Sequence, residues 1–342
     1  MNLAEGQLPR NTCSWKLAGT ETFRLASSML SIGQDNYGTN LQNVKKSLTK
    51  IYIPDEGKVL VNVDQSGAEA LVVAHETEHG NFRELFKNGI KSHVYVALHV
   101  FADIWEQMHP DAEVPKLLTL SPTNLRKNEG FGLVEKSIKQ SDNNPPAQRY
   151  YHIAKMACHA LNYGMKPRTF QTNTLQKSEG EIALTFKEAE RIYYVYHELF
   201  PEIKRWHARV IAELQSGRVL RNLFNYPRKF TQRWSDDLVR QALAYTPQST
   251  VGTITNLVYV QMQDYIERES RDWDMLNNKH DSVLAQVPIG EQLEAATQIQ
   301  EFMDMDLVSA TGVAFKMASG AEWGFNWYPF NEETNPEGMR EV

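Results

Sequence analysis

The stretch Val59-Leu60-Val61-Asn62-Val63-Asp64 decides the fold. Val59, Val61 and Val63 alternate with Leu60, Asn62 and Asp64, the two-residue period of a strand, so the valines face a core and Asp64 emerges on the other face at the strand's end. A second stretch, Met275-Leu276-Asn277-Asn278-Lys279-His280-Asp281, also carries a hydrophobic pattern up to an aspartate. Apolar residues resume as Val283-Leu284-Ala285-Gln286-Val287, which reads as a hairpin with His280-Asp281-Ser282 near its tip. Strands of this kind bring distant carboxylates together. Between them in sequence lies a long helix with Lys155, His159 and Tyr163 at four-residue steps, a basic stripe suited to a polyphosphate. Two carboxylates and one cationic stripe point to metal-dependent phosphoryl transfer.

At 342 residues the chain exceeds the size at which a single core stops growing, so two interleaved structural domains are expected. With 42% hydrophobic and 23% charged residues, the composition is that of an ordinary soluble globular protein. No apolar run approaches the roughly 18 residues of a membrane span. The start, Met1-Asn2-Leu3-Ala4-Glu5-Gly6, has neither a basic n-region nor an apolar h-region, so a cytoplasmic location with no membrane partner is expected. Cys13 and Cys158 give no metal-ligand spacing and at most one disulfide, which fits a reducing compartment.

The net charge of −6 hides a local segregation. Residues 143–178 contain no Asp or Glu yet hold Arg149, Lys155, Lys166, Arg168 and Lys177. Residues 218–233 repeat the pattern with Arg218, Arg221, Arg228, Lys229 and Arg233. The acids gather in 291–306 and in the tail after Glu332, which leaves candidate anion-binding faces.

The first 50 residues, with Gly19, Gly33, Gly38 and the run Gln34-Asp35-Asn36-Tyr37-Gly38, read as loops and short strands. From Ala68 the pattern turns helical, with Leu71, Val72, His75 and then Phe82, Leu85 and Phe86 at helix spacing. Residues 105–145, rich in Pro, Asn, Asp, Lys and Ser, are expected to form a variable connection rather than a core element. Helices are predicted from 146 to about 215, with 187–213 amphipathic and broken at Pro201. Pro247 is expected to separate a helix over about 236–244 from another over about 250–267. An acidic helix near 291–305 and a last strand around 313–317 close the chain, giving an α+β fold in which a sheet is interrupted by a helical insertion. In the basic helix, Asn144-Pro145-Pro146 is a start signal, and Gly164 followed by Pro167 is a stop. Gln148, His152, Lys155, His159 and Tyr163 share one face, and Ile153, Ala157, Ala160 and Leu161 lie towards the other.

Several of these residues belong to longer motifs. Asp64-Gln65-Ser66-Gly67-Ala68-Glu69 resembles the DxSxxE motif A of the A-family DNA polymerases. The run from Lys155 to Tyr163-Gly164 resembles motif B, KxxxΩxxxYG, with His159 at Ω as in some viral-type members. His280-Asp281-Ser282 resembles motif C, whose usual form is HDE. Arg24-Leu25-Ala26-Ser27-Ser28 and Asn40-Leu41-Gln42-Asn43 resemble the RLSS and NLQN elements. Arg240 and Pro247-Gln248-Ser249-Thr250 resemble the family's arginine and its PQST segment. These elements follow the family's order from residue 24 to residue 282, and the resemblance is to the DNA polymerase I-like, viral or phage type.

The resemblance implies a right-hand polymerase, with an antiparallel palm and a helical fingers insertion. Residues 1–71 would form the first part of the palm with motif A. Residues 72–238 would form the fingers, with the motif B helix at about 146–163. Residues 239–342 would form the second part of the palm, with the motif C hairpin at about 275–287. With 23 residues ahead of Arg24, neither a thumb nor a 3′–5′ exonuclease is expected, which suggests a split or truncated polymerase. A second polypeptide carrying both would dock on the apolar segment 3–20, at Leu3, Leu8, Trp15 and Leu17. The location would be a host's cytoplasm if the source is viral.

The implied activity is template-dependent transfer of deoxynucleotides from dNTPs to the primer 3′-hydroxyl of a primer–template DNA. Two Mg²⁺ ions, or Mn²⁺, would be held by Asp64, Asp281 and the carbonyl of Gln65. Lys155 would neutralise the triphosphate, and His159 would pack on the nucleotide's sugar and base. Tyr163 would lie under the templating pair and reach Glu69, which resembles the gate against a 2′-hydroxyl. Arg24, Asn40, Gln42, Arg240, Gln248 and His280 match residues lining the duplex minor groove. Lys45, Lys46 and the 218–233 segment would contact phosphates. The sequence departs from the pattern at four places. Tyr151 stands where motif B has an arginine, leaving His152 or Arg149 to replace it. Ser282 replaces a glutamate, Lys279 an apolar residue, and Leu71 an arginine. The alternative is a non-catalytic DNA-binding subunit that retains the fold.

Overall fold

Strand β1 (Lys58–Gln65), which contains the deciding stretch, lies in the middle of a five-stranded antiparallel sheet. Its partners are β2 (Asp274–Lys279), β3 (Ser282–Pro288), β4 (Ser319–Gly324) and β5 (Arg340–Glu341), in the order β5-β4-β1-β3-β2. The protein is described by a computed structural model covering residues 10–17, 19–32, 35–139 and 145–342. Leu3, Leu8, Gly33, Gln34, Asn144 and the side chain of Gln148 lie outside the described residues.

Alternation in β1 does what its period requires. Val59, Val61 and Val63 are buried with Val283, Ala285 and Val287 of β3 against Ala295, Ala296 and Ile299 of a helix over Gln292–Met303. The opposite face is covered too: Leu60 is buried with Leu284, Trp327 and Met339, and Asp64 at the strand's end is open to solvent. A second core draws its residues from 73–245, whereas the sheet's core draws on 59–72 and 251–321. Helix α1 (Ala68–Glu76) contributes to both.

Three expectations are corrected. Residues 105–145 are not a bare connection, because helices at Ala102–Met108, Val114–Leu117, Pro122–Arg126 and Glu129–Lys139 bury Trp105, Leu117, Leu125, Phe131, Val134 and Ile138. Pro115 and Pro122 sit in first turns, where a missing N–H costs nothing, so prolines that read as loop signals are helix starts.

Pro247 does not divide two helices. Asp236–Arg268 is one helix of 33 residues, with Pro247 buried inside it. Proline in a helix interior costs about 3 kcal/mol. Burial of Val251, Ile254, Val258 and Met262 in the sheet's core offsets this. Around the break, the Ser249 and Thr253 hydroxyls donate to the carbonyls of Tyr245 (2.6 Å) and Ser249 (2.7 Å).

The third correction concerns the last strand. Residues 314–316 pair with Asp306–Val308 in a separate hairpin, and the strand beside β1 is β4. Ser319-Gly320-Ala321-Glu322-Trp323-Gly324 alternates only at Ala321 and Trp323, between glycines and a glutamate, too short a pattern for periodicity to single out. Gly324 answers to a neighbour, since a Cβ there would lie 2.7 Å from the Gly338 backbone, whereas a Cβ on Gly320 would meet only Ser66 Oγ at 3.7 Å. Among the described residues, no helix is long and apolar enough to cross a membrane.

The re-entry of 105–145 into the core is testable at Trp105, which is fully buried and donates from Nε1 to the Ala97 carbonyl at 2.7 Å. Trp105→Ala is expected to cost about 3–5 kcal/mol in denaturant unfolding. A loss under roughly 0.5 kcal/mol would mark the segment as surface.

Candidate active site

The pairing of β1 with β3 sets Asp64 opposite Ser282, one residue from Asp281. A two-residue turn joins β2 to β3 at His280-Asp281, with His280 at φ +64°. Three hydrogen bonds fix that turn. The Gln65 N–H donates to the Asp281 carbonyl (3.0 Å), the Asp281 N–H to the Lys279 carbonyl (2.7 Å), and the Thr255 hydroxyl to the His280 carbonyl (3.2 Å). The buried side chain of Gln65 donates to Thr255 Oγ1 at 2.8 Å, so the long helix Asp236–Arg268, here α5, clamps turn and strand together.

Among the described residues, neither aspartate forms an ion pair. Asp64 is accessible at its edge but sits among groups that displace water. Its carboxyl is pushed up to about 7 by desolvation first, then by the negative charges of Asp281 and Glu322, with Lys279 opposing. Asp281 is also raised, through burial, against the pull of Arg24. Nearby cations thus offset only part of the cost of their negative charge, and neither carboxylate has a direct ion-pair partner among the described residues.

Next to them stands Glu69, in the first turn of α1. Gly67 at φ +61° lets the chain turn from β1 into that helix. The basic helix α2 (Pro145–Asn162) ends in a Schellman pattern, with Gly164 at φ +72° and bonds from Gly164 N to Leu161 O (3.1 Å) and Met165 N to Ala160 O (3.2 Å). That stop places Tyr163 so that its hydroxyl donates to Glu69 Oε2. The Arg24 guanidinium pairs with Glu69 Oε1. Burial would raise the Glu69 carboxyl, but the Arg24 charge, both hydrogen bonds and His159 outweigh it and hold the group below its ordinary value. Burial and Glu69 push Tyr163 well up.

On α2, His152, Lys155 and His159 lie exposed on one face, while Ile153, Ala157, Ala160 and Leu161 are buried on the other. The His159 ring meets Tyr163 edge-on at 5.7 Å, and desolvation lowers its pKa. Arg149 turns away towards the Ala183 carbonyl (3.4 Å), so of the two substitutes for the motif B arginine, His152 shares the Lys155 face.

The six groove candidates separate. Gln42 is buried and its amide is occupied: Oε1 accepts from Ser27 N (2.9 Å), and Nε2 donates to the carbonyls of Leu25 (2.9 Å) and Asn278 (2.9 Å). Asn40 Oδ1 accepts from Gln42 N (3.1 Å) and Ser27 Oγ (2.5 Å). Gln42 thus ties the N-terminal segment to β2, and Asn40 braces it within that segment. Arg24 sits on Glu69, and Arg240 pairs with Asp237 one turn away at 3.0 Å. Gln248 is part-exposed on α5, and His280 is half-buried at the hairpin tip with its pKa lowered by burial first and then by Arg24.

In 218–233, Arg228 pairs with Glu21 and lies 4.3 Å over Phe230, while Lys229 and Arg233 are exposed, as are Lys45 and Lys46. The four departures have local explanations. Leu71 packs in the sheet's core, Ser282 is buried, Tyr151 stacks edge-on with His93 (5.0 Å), and Lys279 lies 5.1 Å over the Trp327 ring. Sequence reasoning missed Thr255, whose signal is a hydroxyl-rich run, Ser249-Thr250 to Thr255, in the buried middle of the helix.

Residues 133–328 match the family described as DNA polymerase family A, and the chain belongs to that family. DNA polymerase I of Caldicellulosiruptor bescii is 22% identical over 326 residues, covering 91% of this chain and 31% of that protein. DNA polymerase I of Aquifex aeolicus is 21% identical over 277 residues, covering 81% of this chain and 40% of that one. The chain thus spans 31% to 40% of these relatives' length. The fold is similar to that of the POL domain of Pol1 from M. smegmatis in complex with DNA primer-template and dNTP, at a TM-score of 0.63 and 17% identity, over 92% of this chain and 47% of that one.

Behind α2, His207 Nε2 lies 2.7 Å from the Asn162 carbonyl, and burial holds its pKa down to about 4; His197, 6.2 Å away ring to ring, is held at about 3. A histidine whose folded pKa lies below its unfolded value of roughly 6.5 costs nothing above that pH and destabilises increasingly below it. Stability should therefore fall as pH drops from about 6.5 towards 4. His207→Gln is expected to flatten that fall in urea unfolding at stepped pH; an unaltered slope would show that His207 protonates freely in the fold.

Proposed function

We propose that this chain carries the nucleotidyl-transfer core of a template-dependent DNA polymerase, extending a primer 3′-hydroxyl with dNTPs. The observation that carries the reading is the uncompensated carboxylate pair, Asp64 and Asp281, joined across β1 and β3 beside the Glu69–Tyr163 contact. In this reading, residues 1–71 and 239–342 are palm and 72–238 are fingers. The division of the buried residues into two cores supports it.

The donor set fits divalent cations. Two hard oxygen donors lie close without a cationic partner, and burial and mutual repulsion disfavour their charge until a cation arrives. Among the described residues, no cluster of three or more His, Cys, Asp or Glu could hold a metal ion. Asp64, Asp281 and the Gln65 carbonyl would then leave the other coordination positions to water and substrate phosphates, which suits Mg²⁺ and admits Mn²⁺. A pair of such ions bound there would acidify the primer hydroxyl and neutralise the departing pyrophosphate.

The chain's own groups do the rest. Lys155 presents a compact charge to the triphosphate, with His152 exposed on the same face. His159 packs on the nucleotide, and Glu69 with Tyr163 fills the space beside C2′. Arg240, Gln248 and His280 face the minor groove, where acceptors occupy similar positions for every base pair. Lys45, Lys46, Lys229 and Arg233 contact phosphates. A partner polypeptide belongs to this reading, and Leu17, 80% exposed, is apolar surface offered to it.

Primer extension in Mg²⁺ under single-turnover conditions tests the proposal. Asp64→Ala and Asp281→Ala are each expected to cut incorporation by about 10³-fold or more while duplex affinity changes little. Near-normal extension by either variant would remove the two-carboxylate assignment. Duplex binding by the wild type without incorporation would instead favour a DNA-binding subunit. Lys155→Ala is expected to lower kcat/KM for dNTP by roughly 10–100-fold, and wild-type kinetics would make the α2 stripe a solvated face.

A further inference from the structure

We infer that Arg24 is a positioning residue for Glu69, fixing the orientation of its carboxylate and thereby the strictness with which the site rejects ribonucleotides. The inference rests on the reading of the site as a deoxynucleotide polymerase and deepens it.

The geometry is a carboxylate held from two sides. Arg24 occupies Oε1 and Tyr163 occupies Oε2, and the two donors come from separate parts of the chain, the N-terminal loop and the end of α2. A glutamate on a helix surface has several rotamers, and ordering a long side chain costs up to about 2 kcal/mol. One donor would leave the carboxylate free to pivot about that contact. Two donors on different oxygens leave one orientation. The pair is shielded, with the Arg24 side chain 17% and the Glu69 side chain 20% exposed, so solvent weakens it less than it would a surface pair.

Fixing the orientation matters because a mobile carboxylate is a poor gate. Held still, it fills the volume a 2′-hydroxyl would need. Free to turn, it can move aside and accept a hydrogen bond from that hydroxyl, which favours the ribonucleotide. Rejection by shape therefore requires that Glu69 not move.

Arg24 is placed by contacts that have no other evident use. Phe23 adopts φ +59°, in the left-handed region that L side chains rarely enter. Its carbonyl accepts from Asn256 Nδ2 at 2.7 Å, and the Arg24 carbonyl accepts from Thr20 Oγ1 at 2.8 Å. One turn before Asn256 on α5, Gly252 lets the loop lie down on the helix. A Cβ there would stand 3.0 Å from Arg24 Cγ and 3.0 Å from the Thr22 carbonyl. The gate's rigidity is thus set on α5 and in the loop ahead of the first motif, away from the nucleotide.

The test compares kcat/KM for dNTP and for the matching rNTP in the wild type, Arg24→Ala, Arg24→Lys and Gly252→Ala. Arg24→Ala is expected to lower the dNTP-to-rNTP ratio by about tenfold or more, and Arg24→Lys to recover part of it. Gly252→Ala, which displaces the loop without approaching substrate, should also lower the ratio. If Arg24 served only to bind duplex, both nucleotides would lose equally, and an unchanged ratio in all three variants would overturn the inference. Carboxyl ¹³C NMR of Glu69 gives a second measurement that needs no activity. Its pKa should rise in Arg24→Ala, and an unmoved pKa would also overturn the inference. A folded wild type that incorporates neither nucleotide would overturn the polymerase reading instead, and the carboxyl titration would still decide the role of Arg24.

Discussion

The hydrogen bond from the Gln65 N–H to the Asp281 carbonyl, at 3.0 Å, is the constraint on which the rest of the site depends. It extends the β1–β3 ladder by one rung past Asp64 and Ser282 and so draws the hairpin turn against the end of β1. Side chains alternate across a strand, so a slip of one residue in this pairing would send Asp64 into the valine core and Val63 out of it. The seven-residue register from Lys58–Pro288 to Asp64–Ser282, locked by buried valines on one face and by Leu60 and Leu284 on the other, forbids that slip. The apolar packing on both faces of the sheet thus secures the placement of two charged groups.

That placement opposes stability. Asp64 and Asp281 repel each other in a partly dehydrated recess, and no cation of the chain pairs with either among the described residues. The same chain shows what compensation looks like a few residues away, where Glu69 receives a guanidinium and a phenol and is held ionised. Two carboxylates without partners beside one that is fully satisfied is the pattern expected where the first two await an external cation and the third must stay still.

The sequence made the site more legible than the fold around it. The valine alternation and the two aspartates followed from a period of two, and the exposed face of His152, Lys155 and His159 from a period near four, since both patterns are local. The Glu69–Tyr163 contact was an implication of the family resemblance, and the structure contains it. What was not legible depends on partners distant in sequence. β4 carries Gly324 because the Gly338 backbone is its neighbour, Pro247 is tolerated because a core surrounds its helix, and Gln42 is consumed by Ser27, Leu25 and Asn278. Trp105 was lost among prolines that proved to start helices. Composition gives no access to any of these pairings.

The central claim is that Asp64 and Asp281 form one cation site across β1 and the hairpin turn. Iron(II) substituted for the native ion, with ascorbate and peroxide, cuts backbone within reach of the bound metal, and mass spectrometry of the fragments locates the cuts. Cleavage is expected near both residue 64 and residue 281, and Asp64→Asn should abolish both sets of fragments together. Cuts at one segment alone, or cuts at both that survive Asp64→Asn, would contradict a shared site.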